Sequence, residues 1–535
     1  MPRPPDYGII YNWDGVPHAI SEVPQSMEAF LDKVYAPLED TQVGALFWCV
    51  VDHAARWDSD ELEVLGDVYN RTYGDAYSYT AVENIRQMLE RGEDPQAALI
   101  QRGRELGLQV YGSVRLNDNH LDGAQPEDLK TLDHTELTRL RIDHPEWLLG
   151  PQTLPWFAAS WDFSVPQVRE HKLALIAETC RRYDWDGLEM DWQRHPFHLP
   201  QEHAYRLRYA LTDLQRAVRQ VTEEVAARRG RPFYLAARVA GTLEMSRSIG
   251  YDVPAWIEEG LVDMLIPAGG YGMDPAIDVA GYLELCRGTD VVVYPALDVW
   301  LSSITEGEHA GLIKFVGPEA AMEKEKMRNR AVASRYHRAG AHGIYIFNWY
   351  AGRDSRRELL TQIGARETLR RQDKIYAATH RVVIRQRSWG GVAMYDRIWG
   401  EVPVVLRPTL TGAGPKFELE VAEDPLADSA VRVELRVRLE EWVKGDVVRL
   451  LWDGVERENV ERRYHIQENQ AGNPFDAPIS EVSSAVWLCS AMAAEEVAQG
   501  RHCVEVALQE RHPKLRADMV LTDVELVIAY GRESE

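Results

Sequence analysis

The first 372 residues alternate short apolar runs with longer stretches in which apolar residues recur every three or four positions. Short apolar runs are typical of buried strands, and the three- to four-residue spacing is typical of amphipathic helices. The predicted strands are "DYGIIYN" (6–12), "VGALFWCVV" (43–51), "LQVYGSVRL" (108–116), "DGLEMDW" (186–192), "FYLAARV" (233–239), "VDMLIPA" (262–268), "DVVVYPAL" (290–297) and "HGIYIFNW" (342–349). Their alternation with helices predicts an α/β fold, a (β/α)8 TIM barrel, over residues 1–372. The competing doubly wound sheet would place a G-x-G-x-x-G after the first strand, and none stands there.

The remaining residues, 373–535, show a different pattern, in which apolar and polar residues alternate with period two. The clearest examples are "AVRVELRVRLEEW" (430–442), "VVRLLWDGV" (447–455), "HCVEVALQE" (502–510) and "VLTDVELVIAY" (520–530). Alternation of this kind is typical of strands that bury one face. It predicts a smaller, antiparallel β-sandwich as a C-terminal accessory domain.

The charge balance is strongly acidic, with 84 Asp and Glu against 60 Lys and Arg, a formal net charge of −24. Nucleic acids and anionic membranes are bound through clustered positive charge, so the sequence predicts neither as a partner. A carbohydrate substrate remains open, and so does a homo-oligomer.

The five cysteines lie far apart and form no C-x-x-C pair, so neither a disulfide framework nor a zinc site is predicted. The chain begins "MPRPPDYGII" without an apolar leader, and no stretch is long and apolar enough to span a membrane. A cytoplasmic location is therefore expected.

The fourth predicted strand lies in an acidic stretch, "YDWDGLEMDWQRHP" (183–196). Because side chains alternate across a strand, Glu189 and Asp191 share the face that points into the barrel. Burying an unpaired charge is costly, so ion-pair partners are expected. One interpretation is a structural charge layer, in which Arg238 neutralises one acid and Arg115 the other. We favour that interpretation for Glu189 and a catalytic role for Asp191, which ends its strand at the mouth where barrel enzymes keep their chemistry.

The acidic stretch, together with "VRLNDNH" (114–120), "VAGTLEMSRSIGYDVPAWIEEGLVDMLIPA" (239–268) and "GAHGIYIFNWY" (340–350), resembles the bacterial glycosyl hydrolase family 10-like barrels. That resemblance implies a TIM barrel that hydrolyses glycosidic bonds. Asp191 also matches the place of the nucleophilic aspartate in barrels related to α-galactosidases and α-amylases.

The fourth strand is also similar to the D-G-x-D-x-D-x-E signature of family 18 chitinases. In that comparison Asp186, Glu189 and Asp191 fill the acidic places, and Gln193 stands where those enzymes have their acid glutamate. A glutamine cannot act as a general acid, so chitinase chemistry is not predicted.

Glycoside hydrolysis requires a second carboxyl group beside Asp191, which is predicted to be the nucleophile or base, kept ionised by Arg238 or Arg115. Glu244, in a short loop after the fifth strand, is the first choice for the general acid and is expected to face an apolar wall. Asp298, after the seventh strand, is the second choice. The alternative interpretation of Glu244 is a solvated charge at a helix N-terminus.

Sugar binding needs flat apolar faces and polar donors, and both types of residue recur at the predicted strand ends. The predicted substrate-binding residues are Asn12, Trp48, Arg115, Asn117, His120, Glu189, Arg238, Tyr271, Trp300, Asn348 and Trp349. The histidines show no H-x-H or H-E-x-x-H spacing, so no metal and no cofactor are predicted. Two alternatives stay open: a non-catalytic carbohydrate-binding barrel, indicated by Gln193, and another barrel enzyme such as a lyase or a metal-dependent hydrolase. The sugar, its linkage and its anomer are not specified by these residues.

Overall fold

The structure of the protein is a computed structural model. It describes residues 2–13, 23–69, 71–121, 123–134, 137–153, 157–268, 277–298, 323–324, 326–347, 354–378, 401–464 and 485–531.

A curled parallel sheet of nine strands forms the larger part of the fold, in the order β7-β6-β5-β4-β3-β2-β1-β9-β8. Its strands are β1 Gly8–Trp13, β2 Val43–Val51, β3 Gln109–Arg115, β4 Gly187–Asp191, β5 Tyr234–Ala240, β6 Met264–Ala268, β7 Val292–Val293, β8 Ala296–Asp298 and β9 Gly343–Phe347. Each of the eight predicted runs contains a strand, which confirms the prediction of strand positions.

The two ends of this sheet lie next to each other in the chain. Strand β7 pairs with β6, and β8 pairs with β9, while only Tyr294 and Pro295 separate β7 from β8. A proline has no N–H to donate to a neighbouring strand, so the predicted run 290–297 is divided at this point.

Helices alternate with these strands. They are α1 Met27–Tyr35, α2 Ala76–Glu90, α3 Pro95–Glu105, α4 Arg139–Asp143, α5 Pro166–Arg182, α6 Ala204–Arg229, α7 Leu243–Ser248, α8 Val253–Glu258, α9 Val279–Leu285, α10 (326–339), α11 Asp354–Leu360 and α12 Arg366–Leu369. The longest, α6, ends at Gly230 with φ +68°, a left-handed conformation that glycine adopts without a steric penalty. Among the described helices, none has the length and apolar character needed to cross a membrane.

Two antiparallel sheets follow. The six-stranded sheet has the order β10-β19-β13-β17-β16 with β11 beside β19, and the four-stranded sheet has the order β12-β18-β14-β15. Their strands are β10 Lys374–Ala377, β11 Val404–Leu406, β12 Lys416–Val421, β13 Arg432–Glu440, β14 Val447–Trp452, β15 Val455–Glu456, β16 Glu461–Tyr464, β17 Val486–Met492, β18 Gly500–Glu510 and β19 Met519–Ala529. The period-two segments are therefore strands, as predicted.

Each part of the fold has its own large hydrophobic core. One core lies between the parallel sheet and its helices. The second includes Phe417 and Val504 from the four-stranded sheet together with Leu435 and Leu526 from the six-stranded sheet. Ala331 of α10 also belongs to this second core, so α10 packs against the antiparallel sheets.

A buried ion cluster joins α10 to β19. The Arg328 guanidinium contacts Glu525 and lies 3.4 Å from an Asp523 oxygen, while Lys324 Nζ is 3.3 Å from Glu525. Arg436 of β13 adds a contact of 2.6 Å to Glu525. Burial raises the pKa of Glu525, but these three cations outweigh it and hold the pKa well below its usual range.

Candidate active site

Three charged side chains lie at the same level at the carboxyl ends of adjacent strands. The strand register pairs Arg115 of β3 with Asp191 of β4, and Asp191 with Arg238 of β5. All three are buried. A negative side chain is thus placed between two positive ones at the end of the sheet where parallel α/β folds keep their ligand sites.

The Asp191 carboxylate is held from two directions. Its Oδ1 accepts hydrogen bonds from the backbone N–H groups of Gln193 and Arg194, at 3.1 and 2.9 Å. The Nη1 of Arg238 lies 3.2 and 3.1 Å from its two oxygens. The turn after β4 and the neighbouring strand therefore fix its orientation and provide its counter-ion.

Glu189 lies one layer deeper on the same strand. Its Oε2 accepts a hydrogen bond of 2.9 Å from Asn12 Nδ2 and another from the Ser113 hydroxyl. Asn12 belongs to β1, which is three strands from β4 in the sheet order, so the bond crosses the concave side of the sheet and confirms that Glu189 points inward. Burial, followed by the charge of Asp191, raises the pKa of Glu189 to about 7.

Arg115 and Arg238 were expected to neutralise one inward acid each. The Nη1 of Arg115 lies 3.1 Å from Asp118, three residues further along the chain. The turn after β3 brings Asp118 back to its own strand end, so Arg115 contacts a carboxylate from the loop that follows its own strand. Glu189 has an amide and a hydroxyl as partners instead.

Asp118 is the centre of a buried polar cluster. Besides Arg115, it contacts the Nε of Arg194 at 3.4 Å and the Nδ1 of His195 at 2.6 Å. Burial raises the pKa of Asp118, but Arg194, His120 and His195 outweigh it and hold the pKa well below its usual range. Burial also lowers the pKa of His195 to about 4, which favours its neutral form.

One group of residues in this cluster has the composition of a metal site. Ligand atoms of Asp118, His120 and His195 all lie within 4.8 Å of one another. Two imidazoles and a carboxylate can bind zinc or iron. The guanidinium groups of Arg115 and Arg194 are within 3.4 Å of the same carboxylate, and their positive charge opposes a divalent cation there. Spacing rules missed this group because its members come from two separate loops.

Three guanidinium groups converge on the ring of Phe347, at the end of β9. The distances from the guanidinium carbon to the ring centroid are 5.2 Å for Arg115, 5.7 Å for Arg194 and 4.0 Å for Arg238. Each is within the range of a cation–π contact. The register also pairs Asp298 at the end of β8 with Phe347. Sequence reasoning selected neither Phe347 nor Arg194, although both stand in stretches that it singled out.

Trp48 was predicted as a sugar platform, and the structure corrects this. Its neighbour Cys49 is in register with Ser113, which points inward, so alternation turns Trp48 outward. There its ring packs edge-on against Phe30 of α1, with centroids 5.7 Å apart. Trp48 therefore belongs to the core beneath the helices.

Asn117 has a structural role in place of the predicted substrate contact. Its side-chain amide donates to the backbone oxygens of Trp161 and Phe197, at 3.0 and 2.8 Å. Its oxygen accepts from the backbone N–H of Trp161 at 2.8 Å. The buried amide thus ties two loops together.

Glu244 is exposed in the first turn of α7, whose N-cap is Thr242. The expected apolar wall around it is therefore wrong, and its carboxylate instead stabilises the positive end of the helix dipole. Tyr271, Trp300, Asn348 and Trp349 lie outside the described residues.

No protein-family model matches the chain, and no curated protein does. Among solved structures it is similar to the cycloisomaltooligosaccharide glucanotransferase of Paenibacillus sp., at 9% identity and a TM-score of 0.31, over 96% of this chain and 57% of that one. It is also similar to alpha-L-fucosidase isoenzyme 2 from Paenibacillus thiaminolyticus, at 13% identity and a TM-score of 0.35. That similarity covers 76% of this chain and 53% of the fucosidase chain. A third similar structure is the C-terminal domain of a putative chitinase from Desulfitobacterium hafniense, at 12% identity and a TM-score of 0.39. That similarity covers 68% of this chain and 100% of the chitinase domain.

The chain thus spans 57% and 53% of the lengths of the first two of these structures. Membership of the family 10-like barrels stays a prediction.

Proposed function

We propose that the protein is a glycoside hydrolase that cleaves a glycosidic bond in an oligosaccharide or glycoside. Its domains are a closed (β/α)8 barrel over residues 1–372 and a β-sandwich over 373–535. Closure is supported by the stretch 292–298, which pairs with β6 through β7 and with β9 through β8. The sandwich is supported by the hydrophobic core that both antiparallel sheets share.

The observation that carries the proposal is the position of Asp191. It ends β4 at the carboxyl side of the parallel sheet, between Arg115 and Arg238 in the strand register. Barrel enzymes carry their catalytic carboxylates at this end of the strands. Asp191 acts as the nucleophile or base at the anomeric carbon, and Arg238 keeps the carboxylate oriented.

The second carboxyl group, the general acid, protonates the oxygen of the leaving group. We place Asp298 first in this role, because it ends β8 beside the end of β9 in the same parallel sheet as Asp191. Glu244 becomes the second choice, because it lies exposed in the first turn of α7 and not in a buried position at a strand end. Glu189, beneath Asp191, accepts hydrogen bonds from Asn12 and Ser113.

The test is turnover of a panel of aryl glycosides and oligosaccharides by three variants. Asp191→Asn should lose at least about 1,000-fold in kcat/KM, which is over 4 kcal/mol of transition-state stabilisation. Asp298→Asn should lose less on substrates with good leaving groups, which need little protonation. Glu258→Gln, an exposed carboxyl on α8, is the control and should behave as the parent protein. Circular dichroism and thermal unfolding monitor the fold.

A normal rate for Asp191→Asn would refute the proposal and leave the acidic strand as a structural charge layer. If Asp298→Asn is fully active on natural substrates, the general acid is another residue. A loss of turnover in Glu244→Gln would then identify Glu244 as that acid.

A non-catalytic carbohydrate-binding barrel is the second candidate. It is favoured by Gln193, which is buried and donates its backbone N–H to Asp191 at the place where chitinases have an acid. Binding of an oligosaccharide without turnover of any panel member would support it. A metal-dependent barrel enzyme, the third alternative, would use Asp118, His120 and His195.

A further inference from the structure

We propose that a cleft between the two parts of the fold is a second carbohydrate-binding site, which takes a neutral sugar unit and is separate from the strand ends that carry Asp191. The cleft has a volume of about 410 Å³ and lies between α10 and α12 on one side and the loops beside β12 and β18 on the other. Pockets of this size bind small molecules, and they are common where two structural units meet. The inference goes beyond the proposed function, which concerns the other end of the parallel sheet.

The cleft lies on the side of the parallel sheet where the strands begin. Gln42, the residue before β2, ties the segment of α12 to this side. Its Oε1 accepts from the backbone N–H of Gly364 at 2.8 Å, and its Nε2 donates to the Thr368 hydroxyl at 3.0 Å. The beginnings and the ends of parallel strands lie at opposite edges of a sheet, and Asp191 ends β4. A sugar unit in the cleft is therefore remote from Asp191.

Ser334 of α10 lines the cleft with a hydroxyl group that has no hydrogen bond. The residue is 9% exposed, and its Oγ bonds to no residue that the structure describes. A serine inside a helix can donate to the carbonyl group four residues earlier, and Ser334 does not. Leaving a buried hydroxyl without a partner is unfavourable, so a ligand that bonds to it is stabilised. Leu369 and Ala422, both buried, add apolar surface to the lining.

The polar lining contains side chains of both charges. Guanidinium groups only donate hydrogen bonds and carboxylates only accept them, whereas a sugar hydroxyl does both. A purely cationic or purely anionic ligand would meet charges of its own sign in the cleft, and a neutral polyhydroxylated ligand meets none. The charged lining residues are Arg366, Glu367, Arg370, Glu423, Asp424 and Asp428.

Most of these carboxylates already have partners, which also favours a neutral ligand. Lys374 Nζ lies 3.0 Å from Glu423, and Arg370 Nε donates to Asp428 at 2.7 Å. One oxygen of Asp424 accepts from two backbone N–H groups of the turn that follows it, at 3.0 Å each. The lining is thus held in place without a ligand, and a preorganised site binds with a smaller loss of conformational freedom.

The test uses the full-length protein with the neutral disaccharides maltose, cellobiose and lactose as probes. Hydrogen exchange of the backbone, followed by mass spectrometry with and without each sugar at millimolar concentration, locates binding along the chain. At least one sugar should slow exchange in the peptides that cover 366–370 and 422–428. The same measurement with inorganic phosphate and with ethylamine provides an anion and a cation for comparison.

Two variants test the contacts. Ser334→Ala and Arg366→Gln should each weaken the binding of that sugar in the cleft by roughly fivefold, the effect of losing one ordinary hydrogen bond. Neither side chain forms a hydrogen bond or an ion pair within the described ranges, so neither change should lower the Tm of the free protein. Arg287→Gln, which removes a guanidinium group from a side chain that is 76% exposed, is the matched control and should bind as the parent does.

Three outcomes would overturn the inference: no protection at the cleft by any of the three sugars, an affinity that either variant leaves unchanged, or protection there by phosphate or ethylamine but by no sugar. Turnover separates this inference from the proposed function. Hydrolysis that is lost in Asp191→Asn, without protection at the cleft, would leave the glycosidase and remove the second site. Protection at the cleft of a protein that hydrolyses no glycoside would remove the glycosidase and leave the second site.

Discussion

The substitution Glu189→Gln tests the electrostatics of the acidic strand most directly. Glutamine keeps the shape of the side chain and an oxygen that can accept from Asn12 and Ser113, but it cannot ionise. Any effect of pH that disappears in the variant therefore belongs to this one carboxyl group.

The magnitude follows from the pKa values. The pKa of Glu189 is about 7 in the folded protein, against 4.5 for an ordinary glutamate. Below pH 4.5 the carboxyl group is protonated in both the folded and the unfolded state, so it does not make stability depend on pH. Between the two values the folded state holds a proton that the unfolded state has released, so the stability contribution of Glu189 is lost as pH rises. At 1.36 kcal/mol for each pH unit, the total loss is about 3 kcal/mol.

The assay is urea denaturation of both proteins at pH 5, 6, 7 and 8, followed by tryptophan fluorescence and circular dichroism. The free energy of unfolding of Glu189→Gln relative to the parent should rise by about 2.5 kcal/mol from pH 5 to pH 8, because part of the total loss falls outside this range. Groups that do not interact with Glu189 cancel in this difference. Glu258→Gln, the exposed matched control, should show no such trend.

A difference between Glu189→Gln and the parent that stays within about 0.5 kcal/mol across this pH range would refute the reasoning. Glu189 would then titrate as an ordinary glutamate, and burial would not be the force that acts on it. A trend of opposite sign would mean that nearby cations dominate over burial and over Asp191.

Two further outcomes follow from other ion clusters. Dialysis against EDTA should leave turnover and thermal unfolding unchanged, because the two arginines beside Asp118 oppose a divalent cation. Elemental analysis should find less than about 0.1 metal ion per chain. A bound metal that is lost in His120→Ala would contradict this prediction. Glu525→Gln should destabilise the chain by about 3–5 kcal/mol at pH 7, since it leaves buried cations without their carboxylate. The pKa of Glu525 is held well below 4.5, so the stability that its carboxylate contributes is lost as pH falls below that value. Urea denaturation should therefore show a smaller stability difference between Glu525→Gln and the parent at pH 3 than at pH 7. A stability difference that is constant with pH would rule out the ion pairs as its source.

Local periodicity was sufficient for the positions of the strands and for the inward direction of Glu189. The inward position of Glu189 followed from alternation along β4, which also made Arg238 one of the two arginines expected to neutralise an inward acid. These properties depend on residues one or two positions apart, so the sequence alone contains them. The period-two texture of the last part of the chain specified antiparallel strands in the same way.

Beyond a strand's last residue the alternation rule no longer applies, and only the tertiary structure decides where a side chain points. Arg115 takes Asp118 as its partner because of the turn that follows β3, and Glu244 is exposed because α7 begins soon after β5. The convergence of Arg194 on Phe347 joins the loop after β4 to the end of β9, which no local pattern relates. The sequence by itself determined the scaffold and its inward acids; the paths of the loops determined which charges meet at the strand ends, because contacts between distant segments depend on the folded chain as a whole.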